Sequence, residues 1–180
     1  IADMDATMIR QETLDELAAH FNLRDKISAI TEKAMRGEID FHEALRMRVK
    51  LLKGLPMAAL FETIGKIEYS PGAAQLIRAM NRHGAKCVLV SGGFDLFTSH
   101  VAATLGFYKN FGNRLEIVDH KLTGEVIPPI VDKNVKEHGY CTVVVSEGCH
   151  YADGRFLAEQ GTRDAFGHAQ LGGAAPVVAN

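Results

Sequence analysis

The stretch that decides the fold is Asp3-Met4-Asp5-Ala6-Thr7, close to the start of the sequence. Two carboxylates at positions i and i+2, a hydroxyl at i+4 and an apolar pair after them are typical of a strand that ends and turns into a helix. In an open α/β sheet, ligands bind at that edge. Paired aspartates there can share a hard divalent cation, and one of them can attack phosphorus while the other moves protons.

Composition limits the class of protein. A length of 180 residues and a hydrophobic fraction of 47% predict one globular domain with room for a small insertion. The net charge is −2 and lysines and arginines form no run, which argues against nucleic acid or an anionic membrane as a partner. The apolar stretches are too short to span a bilayer. Three cysteines without metal-type spacing favour a reducing, cytoplasmic location.

Residues 11–69 are predicted to form consecutive helices and no strands. Apolar side chains recur there at the spacing of one helix face. Asp40, followed three residues later by Glu43, is close to a capping box and predicts a helix start. Pro56 predicts the start of another helix. We interpret this block as an inserted cap.

From residue 70 onwards the pattern alternates between helices and short strands. Ser70-Pro71 predicts a helix start. Continuous apolar runs at Cys87–Val90 and Val143–Val145 are expected of parallel strands buried on both faces. Residues 115–126 predict a hairpin with a two-residue turn at Asp119-His120.

These patterns predict an α/β fold with a doubly wound, Rossmann-like parallel sheet and a small helical cap inserted after the first strand. The core would comprise residues 1–10 and 70–180. The cap would comprise residues 11–69.

Three polar motifs are expected where parallel strands end: the Asp3/Asp5 pair, Ser91-Gly92-Gly93 and Ser146-Glu147-Gly148. Ser91 and the glycines after it stand before a predicted helix and can donate hydrogen bonds to an anion. Lys136 offers a compact positive charge for a phosphate. Together, these groups describe metal-assisted phosphoryl transfer.

Four stretches, in this order, resemble motifs of the haloacid-dehalogenase-like phosphatases, and within that superfamily the phosphoserine phosphatase family. They are the segment around Asp3, Val88–Phe94, the hairpin segments within 113–126 and Lys136. The resemblance covers residues 1–136. It implies Mg²⁺-dependent hydrolysis of a small-molecule substrate, O-phospho-L-serine, to L-serine and phosphate in serine biosynthesis.

The resemblance implies a role for each residue of the phosphate site. Asp3 would be the nucleophile and form a phosphoaspartyl intermediate. Asp5 would protonate the leaving serine oxygen and then deprotonate the attacking water. Ser91, the backbone N–H of Gly92 and Lys136 would hold the phosphate oxygens.

In the predicted cap, the resemblance assigns substrate recognition. Glu12 would pair with the substrate ammonium, and Arg48 would bind its carboxylate. Met35 and Phe41 would close over the site and exclude water. Arg46 and Lys50, on the same helix as Arg48, are assigned to the solvated surface.

The resemblance places a Mg²⁺ site between Asp3, the backbone carbonyl of Asp5, the substrate phosphate and a carboxylate of a fourth motif, Gly-Asp-Gly-x-Asn-Asp. Here that segment reads Ser146-Glu147-Gly148-Cys149-His150-Tyr151, so Glu147 takes the position of the metal-binding aspartate. Asp153-Gly154 is the alternative. Few residues separate Lys136 from the next strand, fewer than a crossover helix needs.

These departures leave two other functions open. One is a catalytically impaired or truncated relative that binds phosphoserine or phosphate. The other is a phosphatase for another small phosphomonoester, and Glu12 and Arg48 argue against a sugar phosphate in that role.

Overall fold

The structure is a computed structural model that describes residues 1–131. It has an α/β arrangement of six helices and a three-stranded mixed sheet in the order β1-β2-β3 within those residues. The elements are α1 (Thr13–Ala19), α2 (Arg24–Met35), α3 (Phe41–Leu51), α4 (Met57–Gly65), α5 (Ala73–Arg82), β1 (Val88–Phe94), α6 (Asp95–Leu105), β2 (Lys109–Val118) and β3 (Lys121–Ile127).

The start of the chain pairs with the edge of β1 that faces away from β2. The Ala2 N–H donates to the Val88 carbonyl at 2.9 Å, and the Val90 N–H donates to the Ala2 carbonyl at 2.8 Å. Ala2, β1 and the first half of β2 are therefore parallel neighbours. The predicted strand Val143–Val145 lies outside the described residues.

After Asp3 the chain makes a wide turn over Met4–Met8. Ala6 adopts left-handed backbone angles (φ 47°, ψ 14°), which are uncommon for a residue with a Cβ atom. The turn closes when the Ile9 N–H donates to the Met4 carbonyl at 3.1 Å, and both methionines are buried. The turn thus keeps Asp3 and Asp5 at the end of the short parallel pair.

The hairpin of β2 and β3 confirms the predicted two-residue turn. Asp119 and His120 have φ values of 49° and 59°, the left-handed pair that matches the twist of two antiparallel strands. β2 is longer than predicted, because Lys109–Asn113 pairs with β1 before the strand turns to its partner β3.

The hairpin is hydrogen-bonded to the connection between α3 and α4. Gly54 N–H donates to the Leu122 carbonyl at 2.8 Å, and Leu122 N–H donates to the Leu55 carbonyl at 2.9 Å. Gly124 lies so close to α3 that a Cβ atom there would approach the Lys50 Cα to 3.3 Å. The hairpin, predicted within the core, therefore also supports the helical block.

Two local expectations have different outcomes. Asp40 caps α3 as predicted, because its Oδ1 accepts from the Glu43 N–H at 2.7 Å. The helix start at Ser70-Pro71 is wrong: α5 begins at Ala73, after Gly72 in a left-handed conformation (φ 86°). Across residues 1–131, no helix combines the length and apolarity that a bilayer crossing requires.

We predict that Asp40→Ala lowers the free energy of unfolding by about 1 kcal/mol, because the Glu43 N–H loses its acceptor at the start of α3. Urea denaturation measures the change. The matched control is Asp25→Ala in the first turn of α2, which begins after Leu23, a residue with no polar side chain for capping. An equal loss in both variants would contradict a capping role for Asp40.

Candidate active site

A cavity of about 430 Å³ opens between the N-terminal turn, the end of β1 and helices α1 to α3. All eight predicted site residues that fall within residues 1–131 line this cavity: Asp3, Asp5, Glu12, Met35, Phe41, Arg48, Ser91 and Gly92. The other two, Lys136 and Glu147, lie outside the described residues. The fold therefore brings together residues that are up to 89 positions apart.

Asp3 is buried, with 4% of its surface exposed. It follows Ala2, whose backbone pairs with β1, and its Oδ1 accepts a hydrogen bond from the Met4 N–H at 2.7 Å. This backbone bond fixes the carboxylate on the cavity wall at the sheet edge.

Asp5 joins two elements of the structure. Its Oδ1 accepts from the Thr13 N–H at the start of α1, at 3.0 Å, and its Oδ2 accepts from the Ser91 hydroxyl at 3.4 Å. Burial raises the pKa of the Asp5 carboxyl, although these hydrogen bonds to Thr13 and Ser91 oppose the rise. Asp5 is thus suited to hold a proton and release it.

Residues 91–93 form the irregular part of β1, here called the Ser91–Gly93 loop. The shape of this loop depends on the absence of a side chain at Gly93. The Gly93 N–H donates to the Ser91 Oγ at 2.9 Å. A Cβ atom on Gly93 would lie 2.9 Å from the Asp5 Oδ2 and 3.1 Å from the Ser91 Oγ. Glycine is therefore needed for the loop to approach Asp5 this closely.

Arg48 is the cavity-lining arginine of α3. Its Nε–H donates to the Ala44 carbonyl at 3.2 Å, and its Nη1 donates to the Thr31 hydroxyl of α2 at 3.5 Å. Arg46 and Lys50, which flank it in the sequence, are exposed. The guanidinium is therefore half-buried and oriented by two helices, and it can offer a planar set of donors to an anion.

Glu12 precedes α1, lines the cavity and is partly exposed. Partial burial and the nearby carboxylates of Asp5, Asp15 and Asp3 raise the pKa of Glu12 to about 7, while the Arg48 guanidinium opposes this rise. The negative potential around Glu12 suits a bound cation.

Met35 and Phe41 lie at facing helix ends beside the cavity. Met35 is the last residue of α2 and is 64% exposed, whereas Phe41 is the first residue of α3 and packs against the core. Together they form an apolar part of the cavity rim.

Gly93, the last residue of the predicted Ser-Gly-Gly motif, also lines the cavity. The sequence did not indicate nine further lining residues: Leu14, Asp15, Ser28, Thr31, Glu32, Ala34, Ala44, Leu45 and Phe94. Asp15 had a local signal, because it stands three residues after Glu12, which is the spacing of neighbours on a helix. Thr31 had none, because its bond to Arg48 depends on how α2 packs against α3.

The donor set offers a partial fit to a magnesium ion. Asp3 and Asp5 both line the cavity. Within residues 1–131, no group of three His, Cys, Asp or Glu side chains is placed to hold a metal. Mg²⁺ is commonly bound through one or two carboxylates, substrate phosphate and water, so the two aspartates fit this ion.

Comparison with known proteins places the site in a family context. The family model for haloacid dehalogenase-like hydrolase matches residues 1–139. A phosphoserine phosphatase of Archaeoglobus fulgidus is 44% identical over 136 residues, which are 76% of this chain and 40% of that protein. A phosphoserine phosphatase of Idiomarina loihiensis is 46% identical over 136 residues, 76% of this chain and 62% of that protein. The chain thus spans less than two thirds of either relative.

Solved structures share the fold. A phospho-aspartyl intermediate analogue of phosphoserine phosphatase superposes with a TM-score of 0.72 and 34% identity, covering 82% of this chain and 76% of that one. A substrate-bound phosphoserine phosphatase complex gives a TM-score of 0.72 and 33% identity with the same coverage.

We predict that Glu12→Gln stabilises the protein increasingly as the pH rises, when divalent cations are removed with a chelator. The folded-state pKa of Glu12, about 7, exceeds the value of 4.5 in an unfolded chain. Ionised Glu12 therefore costs stability progressively from about pH 4.5 to about pH 7, and the cost is complete above that range. Thermal midpoints of wild type and variant measure the effect.

The control for this prediction is Glu125→Gln, which changes an exposed glutamate of β3. The Glu12→Gln difference from wild type should vary with pH by more than the Glu125→Gln difference. A Glu12→Gln difference that is constant between pH 5 and pH 8 would show that the Glu12 pKa is not raised by folding.

Proposed function

Because this chain belongs to the haloacid dehalogenase-like hydrolases, we propose that it hydrolyses O-phospho-L-serine to L-serine and phosphate with the aid of Mg²⁺. The observation that carries the proposal is the single cavity lined by Asp3, Asp5, Glu12, Arg48 and Ser91. These residues would supply a nucleophile, a proton carrier, two groups that bind the amino-acid part of the substrate, and a hydroxyl that donates a hydrogen bond to the phosphate. The identity to phosphoserine phosphatases supports the same substrate.

In the proposed reaction, an Asp3 carboxylate oxygen attacks phosphorus and the bond from phosphorus to the serine oxygen breaks. Asp5 donates its proton to the departing oxygen, which leaves as serine. Asp5 then takes a proton from water as that water attacks the phosphorus of phospho-Asp3. Phosphate leaves and the Asp3 carboxylate is restored. The raised pKa of Asp5 and its place beside Asp3 in the cavity lining support this proton-carrying role.

A phosphate dianion and the Asp3 carboxylate repel each other, so the reaction needs positive charge and hydrogen-bond donors. Phosphatases of this family are in general metal-dependent. A bound Mg²⁺ would neutralise charge on the phosphoryl oxygens, and we propose the Asp3 carboxylate, the Asp5 backbone carbonyl and the Glu147 carboxylate as its protein ligands. The Ser91 hydroxyl, the Gly92 N–H and Lys136 would hold the same oxygens.

The amino-acid part of the substrate would lie towards the helices. Glu12 would pair with its ammonium and Arg48 would bind its carboxylate, which Lys cannot do in the same bidentate way. Met35 and Phe41 would shield the reaction from water. We therefore propose that residues 11–69 form a cap over a doubly wound core built from residues 1–10 and 70–180.

The proposal is tested by phosphate release from O-phospho-L-serine, with Mg²⁺ and with excess chelator. We expect turnover that requires the ion and that Asp3→Asn abolishes, because an amide is a poor nucleophile towards phosphorus. Asp119→Asn, in the exposed hairpin turn, is the matched control and should keep wild-type turnover. A folded wild type that releases no phosphate, or an active Asp3→Asn, would refute the proposal.

We predict that Arg48→Ala raises KM for phosphoserine by roughly 10- to 100-fold, because a charged hydrogen-bond donor to the substrate carboxylate is lost. KM for 4-nitrophenyl phosphate, which has no carboxylate, should change little. Steady-state kinetics with both substrates measure the difference, and Arg46→Ala on the exposed face of the same helix is the control. Equal increases for both substrates would remove the carboxylate-binding role from Arg48.

A further inference from the structure

We propose that Asn113 is a positioning residue that sets the geometry of the Ser91–Gly93 loop, and through it the direction of the Ser91 hydroxyl. The inference rests on the proposed function, in which this loop holds the substrate phosphate. Asn113 is completely buried in β2, and among the described residues it stands outside the cavity lining. It therefore acts on the site only through other residues.

The pairing of β1 with β2 shows why the loop needs support. Val90 is opposite Phe111 and Phe94 is opposite Asn113, so β1 advances four residues where β2 advances two. This bulge removes the residues between Val90 and Phe94 from regular pairing with β2. The side chain of Asn113 replaces a missing ladder partner, because its Nδ2 donates to the Gly92 carbonyl at 2.8 Å.

The hydrogen bond from Asn113 to Gly92 affects Asp5 through the peptide group between Gly92 and Gly93 and through the Ser91 hydroxyl. The Gly92 carbonyl and the Gly93 N–H belong to the same planar peptide, so a bond that orients the carbonyl also orients the N–H. The Gly93 N–H donates to the Ser91 Oγ at 2.9 Å. Since this Oγ accepts on one side, its own hydrogen points elsewhere, and it donates to the Asp5 Oδ2 at 3.4 Å. Asn113 thus orients the hydroxyl that contacts both Asp5 and the proposed phosphate position.

The Asn113 amide is itself fixed in one orientation. Its Oδ1 accepts from the Val131 N–H at 2.7 Å, and its Nδ2 donates a second hydrogen bond to the Val131 carbonyl at 3.3 Å. A flipped amide would place Oδ1 against the carbonyl oxygens of Gly92 and Val131 and Nδ2 against the Val131 N–H, so all three hydrogen bonds would be lost. A buried network with its donors and acceptors matched is rigid, which a loop that binds an anion requires.

The test compares Asn113→Ala and Asn113→Asp with wild type. Asn113→Asp keeps the side-chain shape but places an oxygen opposite the Gly92 carbonyl oxygen. The matched control is Asn110→Ala on the same strand, because the Asn110 Oδ1 accepts from Thr98 and Ser99 of α6 and not from the loop. Three quantities are measured: amide hydrogen exchange of Gly93, affinity for inorganic phosphate in the presence of Mg²⁺, and turnover of two phosphomonoesters.

We expect Gly93 to be protected from exchange in wild type and in Asn110→Ala, and to lose protection in both Asn113 variants. Phosphate affinity should fall in the Asn113 variants alone. Their kcat/KM should fall by the same factor, roughly 10- to 100-fold, for phosphoserine and for 4-nitrophenyl phosphate, because the loop contacts only the phosphate common to both. In a Ser91→Ala background the Asn113→Asp effect should be much smaller, since the route passes through Ser91.

Several results would overturn the proposal. They are an unprotected Gly93 amide in wild type, Asn113 variants with wild-type Gly93 protection and phosphate affinity, equal losses in Asn110→Ala, or additive effects with Ser91→Ala. The exchange measurement needs no substrate. A wild type that fails to hydrolyse phosphoserine while Gly93 responds to Asn113 would therefore refute the function and leave the positioning role standing.

Discussion

The site depends on the position of one carboxylate, that of Asp5, between two elements that are distant in the sequence. It accepts from the Thr13 N–H eight residues later and from the Ser91 hydroxyl 86 residues later. The helical block and the end of β1 therefore meet at this side chain. Ala2, the residue before Asp3, is hydrogen-bonded to β1 through its backbone. This pairing fixes Asp3 next to the end of β1. A carboxylate removed from water needs hydrogen-bond donors such as those that Asp5 has. The same two bonds to Asp5 also hold the start of α1 next to the end of β1, on either side of the cavity.

Helices α2 and α3 and the β2–β3 hairpin support the residues that line the cavity. On one side, α2 and α3 orient Arg48 through Thr31 and the Ala44 carbonyl. On the other, the β2–β3 hairpin is bonded both to β1 and to the connection between α3 and α4. The hairpin thus links the phosphate end of the proposed site to the helices that would recognise the amino acid.

The sequence predicted those elements whose formation depends on residues close together in the chain. Asp40 marked the start of α3, the apolar run marked β1, and the hairpin turn followed from its two flanking strands. The parallel half of β2 escaped prediction because Lys109–Asn113 combines polar residues with a glycine and shows no strand periodicity. Thr31 and Asn113 escaped it because their partners lie on other elements. The cavity brings eight predicted residues together, whereas the roles of Lys136 and Glu147 stay predictions because both lie outside the described residues.

In the proposed reaction, Asp3 carries the phosphoryl group between the two half-reactions. The most direct measurement is a rapid acid quench of the enzyme turning over phosphoserine with Mg²⁺, followed by borohydride reduction and peptide mass spectrometry. An acyl phosphate is reduced to an alcohol, so we predict that Asp3 is recovered as homoserine and Asp5 as unchanged aspartate. Turnover with Asp3 unmodified, or reduction at another carboxylate, would contradict the account.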